Sequence, residues 1–528
     1  MLIQPIKYLR SPRGSIIICI LLILFFLIIE LSYIKFPGPY CDEAGLGSEA
    51  LSIKEGRYIT LMRAGFHGAL DLYILRLIYQ IFPVGIVSIR LMAIFFGSLT
   101  ILLTYLFTTA LFDRRYGILA AFLLVISPGF IMGTKLGADY GTIMLTIYLS
   151  VLILLLRWYR GGKTVNFCLA MFLLGLGMWT RIWFLWFVFG LFCTAVVFFN
   201  MLFKKIKLNT TKRFLKYVLL GVIFFSLGCS VIIYHEWTTG FASIKYIFNN
   251  FNINHNSFHY LHNMITVSGI FRDVLTGRLF FFMHFREANR TFINGFYSWF
   301  FLFSIACLII VGSRKDFSFQ RKPFFLLFLF FGMFALTPIS PFYLPSYHFY
   351  FLFPLVQIII ATAVLAAYEY VKKIKLGVFL ISIYICLLVI TGISGLELYF
   401  YHLRKNGGRE YYSPIVYDLT TYLLKANVSR VVVGGWGLYD IVHISSGGRI
   451  CPVDLPAADP ETILNLSKNN DVLYVFYRKG LTVGINNLTT FLKTAETLHL
   501  DIIKEKVFYE RDGTPLYIVY KITEKKVL

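Results

Sequence analysis

The chain reads as a polytopic α-helical membrane protein with a small α/β domain at its C-terminal end, and three observations lead there. Hydrophobic residues make up 58% and charged residues 15% of the 528 positions, whereas soluble domains carry about 25% charged residues. The mean hydropathy of +0.72 agrees. Apolar runs recur through the first 400 residues, and the basic residues mostly cap them. The formal charge of +23 is therefore read as orienting loops in a bilayer, not as a nucleic-acid surface.

Runs able to cross a hydrocarbon core of roughly 20 residues fall near 15–34, 86–111, 117–135, 140–158, 164–180, 182–203, 214–234, 294–312, 323–339, 347–370 and 376–398, about eleven spans. Lys7, Arg10 and Arg13 precede the first run, and no small-residue cleavage site follows it, so it is expected to be an uncleaved signal anchor. With that end in the cytoplasm, the loops DRRYG (113–117), RWYRGGK (157–163), KKIKLNTTKR (204–213), SRKDFSFQRK (313–322) and VKKIK (371–375) also fall inside. All five are basic, as the positive-inside rule demands.

The transmembrane domain is thus expected over 1–399, with outer loops at 35–85 and 235–293. A soluble extracytoplasmic α/β domain follows over 400–528. In the first loop, LDLYILRLIYQIF has apolar residues at helical spacing beside Asp71 and Arg76, suiting an interfacial helix. The second loop holds His235, His255, His259, His262 and His284. They lack a third ligand at zinc-site spacing, and polar-aromatic packing at the interface explains them better. Past residue 400, SRVVVGGWG and DVLYVFYRKG read as buried strands, 460–468 as a helix, and KVFYERDGTPLYIVYKI as a hairpin turning at Asp512-Gly513. GGWG lacks the spacing of a dinucleotide fingerprint and reads as a tight turn. Six of the eight cysteines lie in apolar runs; Cys41 and Cys451 are expected to be exposed, and nothing requires a disulfide between them.

Ionisable residues at the outer ends of spans form the shortlist for chemistry, because charge at membrane depth is costly and usually functional. They are Asp42, Glu43, Arg63, His67, Arg90, Lys135, Asp139, Arg181, Tyr347 and His348. A carboxylate beside cations can act as a general base next to a phosphate site. The plainer reading is helix capping or salt bridging.

The stretch from Cys41 to Trp158 resembles the membrane glycosyltransferases of family 39, of the GT-C fold, which include protein O-mannosyltransferases and lipid A aminoarabinose transferases. The matching pieces are DEA at 42–44, FHGALDLYI at 66–74, the run opening with Arg90 in SIRLMAIFFGSLTILLTYLF, LFDRRYGILAA, LVISPGFI and GADYG at 137–141. GLGMWTRIWFLWF at 175–187 and YHFYFLFPL at 347–355 are similar to later family segments.

The resemblance implies a multi-pass cell-membrane enzyme with its active site on the extracytoplasmic face. It would move a sugar, with inversion, from a polyprenyl-phosphate carrier to a lipid, glycan or protein acceptor. Asp42 matches the catalytic base, Glu43 the second residue of the pair, and Asp139 an acidic position serving acceptor or structure. Arg63, Arg90, Arg181 and His348 are candidates for the carrier phosphate. The alternative for Arg90 is pairing with Asp42, Glu43 or Asp139 as a brace. Where many relatives have Lys-Pro-Pro in the first loop, this chain has His67-Gly68-Ala69, so no lysine contact carries over. A divalent metal assists some relatives, and no secure ligand set stands out here. A transporter or flippase of a lipid-linked saccharide is the alternative function. It would favour paired, Gly/Pro-broken halves, and no internal repeat is visible.

Overall fold

The computed structural model describes residues 11–62, 67–137, 141–199, 211–254, 260–287, 292–313, 321–339, 346–426, 428–455, 463, 465, 471–481 and 487–523. The first helix, α1 (Pro12–Ser32), starts at an N-cap Ser11 whose hydroxyl accepts from the Gly14 N–H, with proline in its first turn. Ile17, Leu21, Leu24 and Ile28, spaced along one face, are exposed. Such an apolar stripe is costly in water and suits a lipid-facing helix. In the first loop follow α2 (Cys41–Lys54), the short antiparallel pair β1 (Leu61–Met62) and β2 (His67–Gly68), and α3 (Leu70–Ile81). As the periodicity predicts, α3 is amphipathic, burying Asp71, Leu72, Leu75 and Tyr79.

Among the described residues, six helices are long and apolar enough to cross a membrane, or up to eight if each bent pair is one span. Three shorter apolar helices, Thr164–Met178, Phe184–Val197 and Leu355–Val371, accompany them. Among the described residues, six to eight of the eleven expected runs are thus helices of full length, and three are shorter apolar helices. The reason is local. The 117–135 run is split into Arg114–Val125 and Pro128–Thr134, bent by 59°, where Pro128 cannot donate the helical N–H. The 214–234 run breaks at Cys229 with a bend of 68°. The 164–203 stretch divides around Arg181. Elsewhere small residues bring helices into backbone contact. A Cβ on Gly175 would lie 2.1 Å from the Phe225 carbonyl oxygen, and one on Gly228 2.1 Å from that of Phe172.

At the C-terminal end a five-stranded mixed sheet has the order β4-β3-β5-β7-β6. Its strands are β3 (Arg430–Val433), β4 (Val453–Asp454), β5 (Val472–Tyr477), β6 (Asp501–Tyr509) and β7 (Pro515–Thr523). β3 is parallel to β4 and β5, and β7 is antiparallel to β5 and β6. Both sequence-predicted strands and the hairpin at Asp512-Gly513 are present; most of 460–468 lies outside the described residues. This unit is packed onto the first loop. The helix Leu438–Ser445 lies on α2, Tyr40 stacks on Tyr412 at 4.7 Å, and the Gly38 N–H donates to the Tyr412 carbonyl at 2.6 Å. Cys41 is consequently buried, contrary to expectation, while Cys451 is exposed and both are free thiols.

One ion pair ties α1 to the segment leading into GADYG. Lys135 Nζ sits 3.0 Å from Glu30 Oε2, with both side chains about fully buried (1% exposed each), and donates to the Glu30 carbonyl at 2.7 Å. Removing one member of such a pair leaves an uncompensated buried charge, at a cost of about 3–5 kcal/mol. Lys135→Met should therefore lower the thermal unfolding midpoint in detergent sharply, and Glu30→Gln/Lys135→Met should recover much of the loss. A single variant as stable as wild type would contradict the pairing.

Candidate active site

The helix α2 opens with Asp42 and Glu43 in its first turn, where the N-terminal helix dipole favours negative charge. Though adjacent, the two carboxylates have different surroundings. Glu43 is 1% exposed and meets Arg90 through both oxygens, Nε to Oε1 at 2.7 Å and Nη2 to Oε2 at 2.8 Å. Arg90, on the helix Ile86–Leu111, spends its remaining donors on carbonyls. Nη1 donates to Ile34 at 2.9 Å and Pro37 at 2.7 Å, and Nη2 reaches Gly38 at 3.4 Å. The planar fork is therefore engaged on all sides by protein. It fixes both α2 and the strand of chain that delivers it.

Asp42 is only half-buried. The neighbouring Cys41 thiol donates to its Oδ1 at 3.5 Å. Burial, followed by the charge of Asp42, pushes the Cys41 thiol well above its ordinary value, so it stays a protonated donor. Gly137, the first residue of GADYG, has a positive φ of 81°, and a Cβ there would lie 2.6 Å from Glu43 Oε1. Gly137 thus packs directly on Glu43. Asp139 itself, like Arg63, lies outside the described residues.

A second group gathers around Arg181, which is 2% exposed. Its Nη1 is 2.9 Å from His67 Nδ1; since a guanidinium cannot accept, it donates, and His67 carries no proton on that nitrogen. Nη2 is 3.8 Å from Asp71 Oδ2. The contact is built into the backbone, because the Gly68 N–H donates to the Thr180 carbonyl at 3.0 Å and His67 bridges to Arg181. A Cβ on Gly68 would overlap the Trp179 carbonyl, so the His-Gly-Ala step that replaces Lys-Pro-Pro needs its glycine. His348 packs against Trp183, ring centroids 4.7 Å apart. Burial, then the charge of Arg181, push it well below its ordinary value, leaving it neutral. Tyr347 lies outside the residues whose side chains are described.

The structure thus joins Glu43 with Arg90, and Arg181 with His67, Asp71 and the vicinity of His348. Sequence reasoning missed Glu30 as the partner of Lys135; a glutamate inside an apolar run was the available signal. His284, one of the second loop's histidines, is buried among aromatic rings and bonded through Nδ1 to the Tyr399 hydroxyl at 2.9 Å, in line with the polar-aromatic packing expected of it. Among the described residues no group of three or more His, Cys, Asp or Glu side chains could hold a metal ion.

The fold is similar to that of GT-C membrane glycosyltransferases. Residues 67–233 match the family described as dolichyl-phosphate-mannose-protein mannosyltransferase. The structure is similar to that of ArnT from Cupriavidus metallidurans bound to undecaprenyl phosphate, with a TM-score of 0.60 and 12% identity over 96% of this chain and 98% of that one. The apo state of the same protein gives 0.55 and 13%, over 94% and 97%. The oligosaccharyltransferase of Archaeoglobus fulgidus, tethered to an acceptor peptide, gives 0.51 and 12% over 98% of this chain and 74% of that one. No curated protein matches significantly in sequence. The resemblance read from the motifs, to GT-C glycosyltransferases of the mannosyltransferase and ArnT type, therefore holds.

Two outcomes follow from this geometry. Arg90→Ala should cost about 3–5 kcal/mol of stability by stranding Glu43, read as a sharp fall in the thermal unfolding midpoint; a variant as stable as wild type would contradict the pairing. His348 and His284 supply the second. Burial and nearby cations hold both below the ordinary value, so the unfolded chain takes up protons first, near pH 6.5. Their contribution is full above that pH and is lost as the pH falls towards the folded values. The unfolding midpoint measured from pH 8 to pH 5 should decline below about 6.5, and a flat midpoint would contradict neutral burial.

Proposed function

We propose that the chain is an integral-membrane glycosyltransferase that transfers a sugar, with inversion, from a polyprenyl-phosphate carrier to an extracytoplasmic acceptor. The observation that carries this reading is the division of labour in the Asp42-Glu43 pair. Glu43 is consumed by Arg90, whereas Asp42 is half-buried at the head of a helix held from below by that pair. A fixed, partly desolvated carboxylate is what a general base requires. In the step, the acceptor hydroxyl gives its proton to Asp42, its oxygen bonds to the anomeric carbon, and the carbon–oxygen bond to the carrier breaks. The phosphate departs with the bonding pair.

The ArnT structure bound to undecaprenyl phosphate supports a carrier of that class. Arg181 is the described residue best suited to its phosphate. It is buried, its guanidinium is oriented by His67 and Asp71, and arginine pairs strongly with phosphate away from water. His348 can add a hydrogen bond from its neutral ring. Arg63 is proposed as a phosphate contact and Asp139 as an acceptor or structural contact. Arg90 is assigned to positioning. Whether the sugar is a hexose or a pentose is a matter for the donor pocket, and the reading of the 400–528 region as lying on the same outer face follows from the loop charges.

Asp42→Asn should abolish transfer while the protein still inserts and folds, since Asn keeps the shape and cannot take the proton; wild-type turnover in that variant would remove Asp42 from the role. A reporter fused after residue 400 should be active only outside the cytoplasm. Cytoplasmic activity would overturn the placement of the active face.

A further inference from the structure

The tight turn after β3 was assigned no task by the motifs, yet it closes on the catalytic helix. Gly434 follows β3 and its N–H donates to the Val475 carbonyl at 3.0 Å, which puts residues 434–437 at the carboxyl ends of the parallel strands β3 and β5. In α/β sheets that edge is where ligands are received. Gly437 has φ +66°, and a Cβ on it would fall 2.1 Å from the Cβ of Cys41, the residue before Asp42. Only glycine lets the turn come this close. The helix Leu438–Ser445 then runs on along α2.

Trp436 stands between these contacts. Its ring lies 5.8 Å from Tyr40 at 64° and 5.9 Å from Tyr411 at 83°. Both are edge contacts, so neither tyrosine stacks on the indole, which is half-buried. Tyr40 is the N-cap of α2, two residues from Asp42. A half-buried indole packed on the residue that caps the Asp42 helix presents an apolar plate at the end of α2 that carries the carboxylate. A pyranose has the complementary form, a C–H face edged with hydroxyls, and aromatic rings with one apolar and one wet side suit such ligands.

We infer that the Gly435-Trp436-Gly437 turn forms the acceptor-side wall of the Asp42 centre, and that Trp436 seats a saccharide acceptor by stacking on its pyranose ring. This rests on the reading of Asp42 as the base. It gives the C-terminal unit a share in the active site and names the acceptor as a sugar rather than a protein side chain.

The test uses the full chain in a detergent without a sugar head, with methyl α-mannopyranoside and methyl α-glucopyranoside as probes followed by saturation-transfer NMR. Wild type and Asp42→Asn should bind at least one of them. Trp436→Ala should weaken that binding by about tenfold, the scale of a lost ring contact, and Trp436→Phe by a smaller factor. Undecaprenyl phosphate binding, measured on the same preparations, should be unchanged in both Trp436 variants. Trp436→Phe keeps the ring packing, so it decides the matter if the alanine variant fails to fold. Equal pyranoside binding in Trp436→Phe and Trp436→Ala as in wild type, or no binding of either probe by wild type, overturns the proposal. Failure of wild type to bind undecaprenyl phosphate would instead sink the carrier reading, and the pyranoside titration would still decide on the wall.

Discussion

The site depends on one buried interaction, the two-pronged contact between Glu43 and Arg90. A guanidinium brought into a low-dielectric interior loses its hydration and must have its donors satisfied. Here a carboxylate and the carbonyls of Ile34, Pro37 and Gly38 do so. Because those carbonyls lie on the chain that leaves α1, and the carboxylate on the first turn of α2, one residue of the helix Ile86–Leu111 sets the angle at which α2 begins. Asp42 inherits that angle. Gly137 packs on the same glutamate, so the start of the GADYG loop is referenced to it as well.

Two further contacts complete the frame from opposite sides. Glu30 and Lys135 join α1 to the chain just before Gly137, adding a second buried pair within the same region. From the other side the C-terminal unit covers the head of α2 through Tyr412, Trp436 and Gly437, and the Tyr417 hydroxyl donates to the Lys35 carbonyl at 3.2 Å. The carboxylate of Asp42, the proposed base, is therefore held by apolar helices on one side and by a sheet domain on the other. Each of these contacts adds rigidity at the position where the proposed general base would meet its proton.

Much of this was legible in the sequence. Apolar runs, the DEA and GADYG segments, the strands at Arg430–Val433 and Val472–Tyr477 and the hairpin at Asp512-Gly513 all carry local signals: composition, periodicity and turn residues. What escaped depends on partners far apart in sequence. For Arg90 the sequence offered two readings, a phosphate ligand or a brace on Asp42, Glu43 or Asp139; that Glu43 is the partner is a matter of packing, and the carbonyls Arg90 also holds leave no mark in a sequence. The broken helices were hidden for another reason. Hydropathy reports whether a run is apolar, while a break such as that at Ser127-Pro128 alters its direction and not its composition. Cys41 appeared exposed because the loop around it is polar, and only the closure of Gly437 shows why it is not.

The central claim is that Asp42 takes the acceptor's proton while its neighbours hold it in place. The dependence of turnover on pH tests this most directly, with saturating donor and acceptor, in wild type and in any residual activity of Asp42→Asn. A single ionisation on the acid side, with rate falling tenfold per pH unit below it, should appear in wild type and be absent from the variant. The same acid limb in Asp42→Asn would show that another group carries the proton, and would contradict the claim.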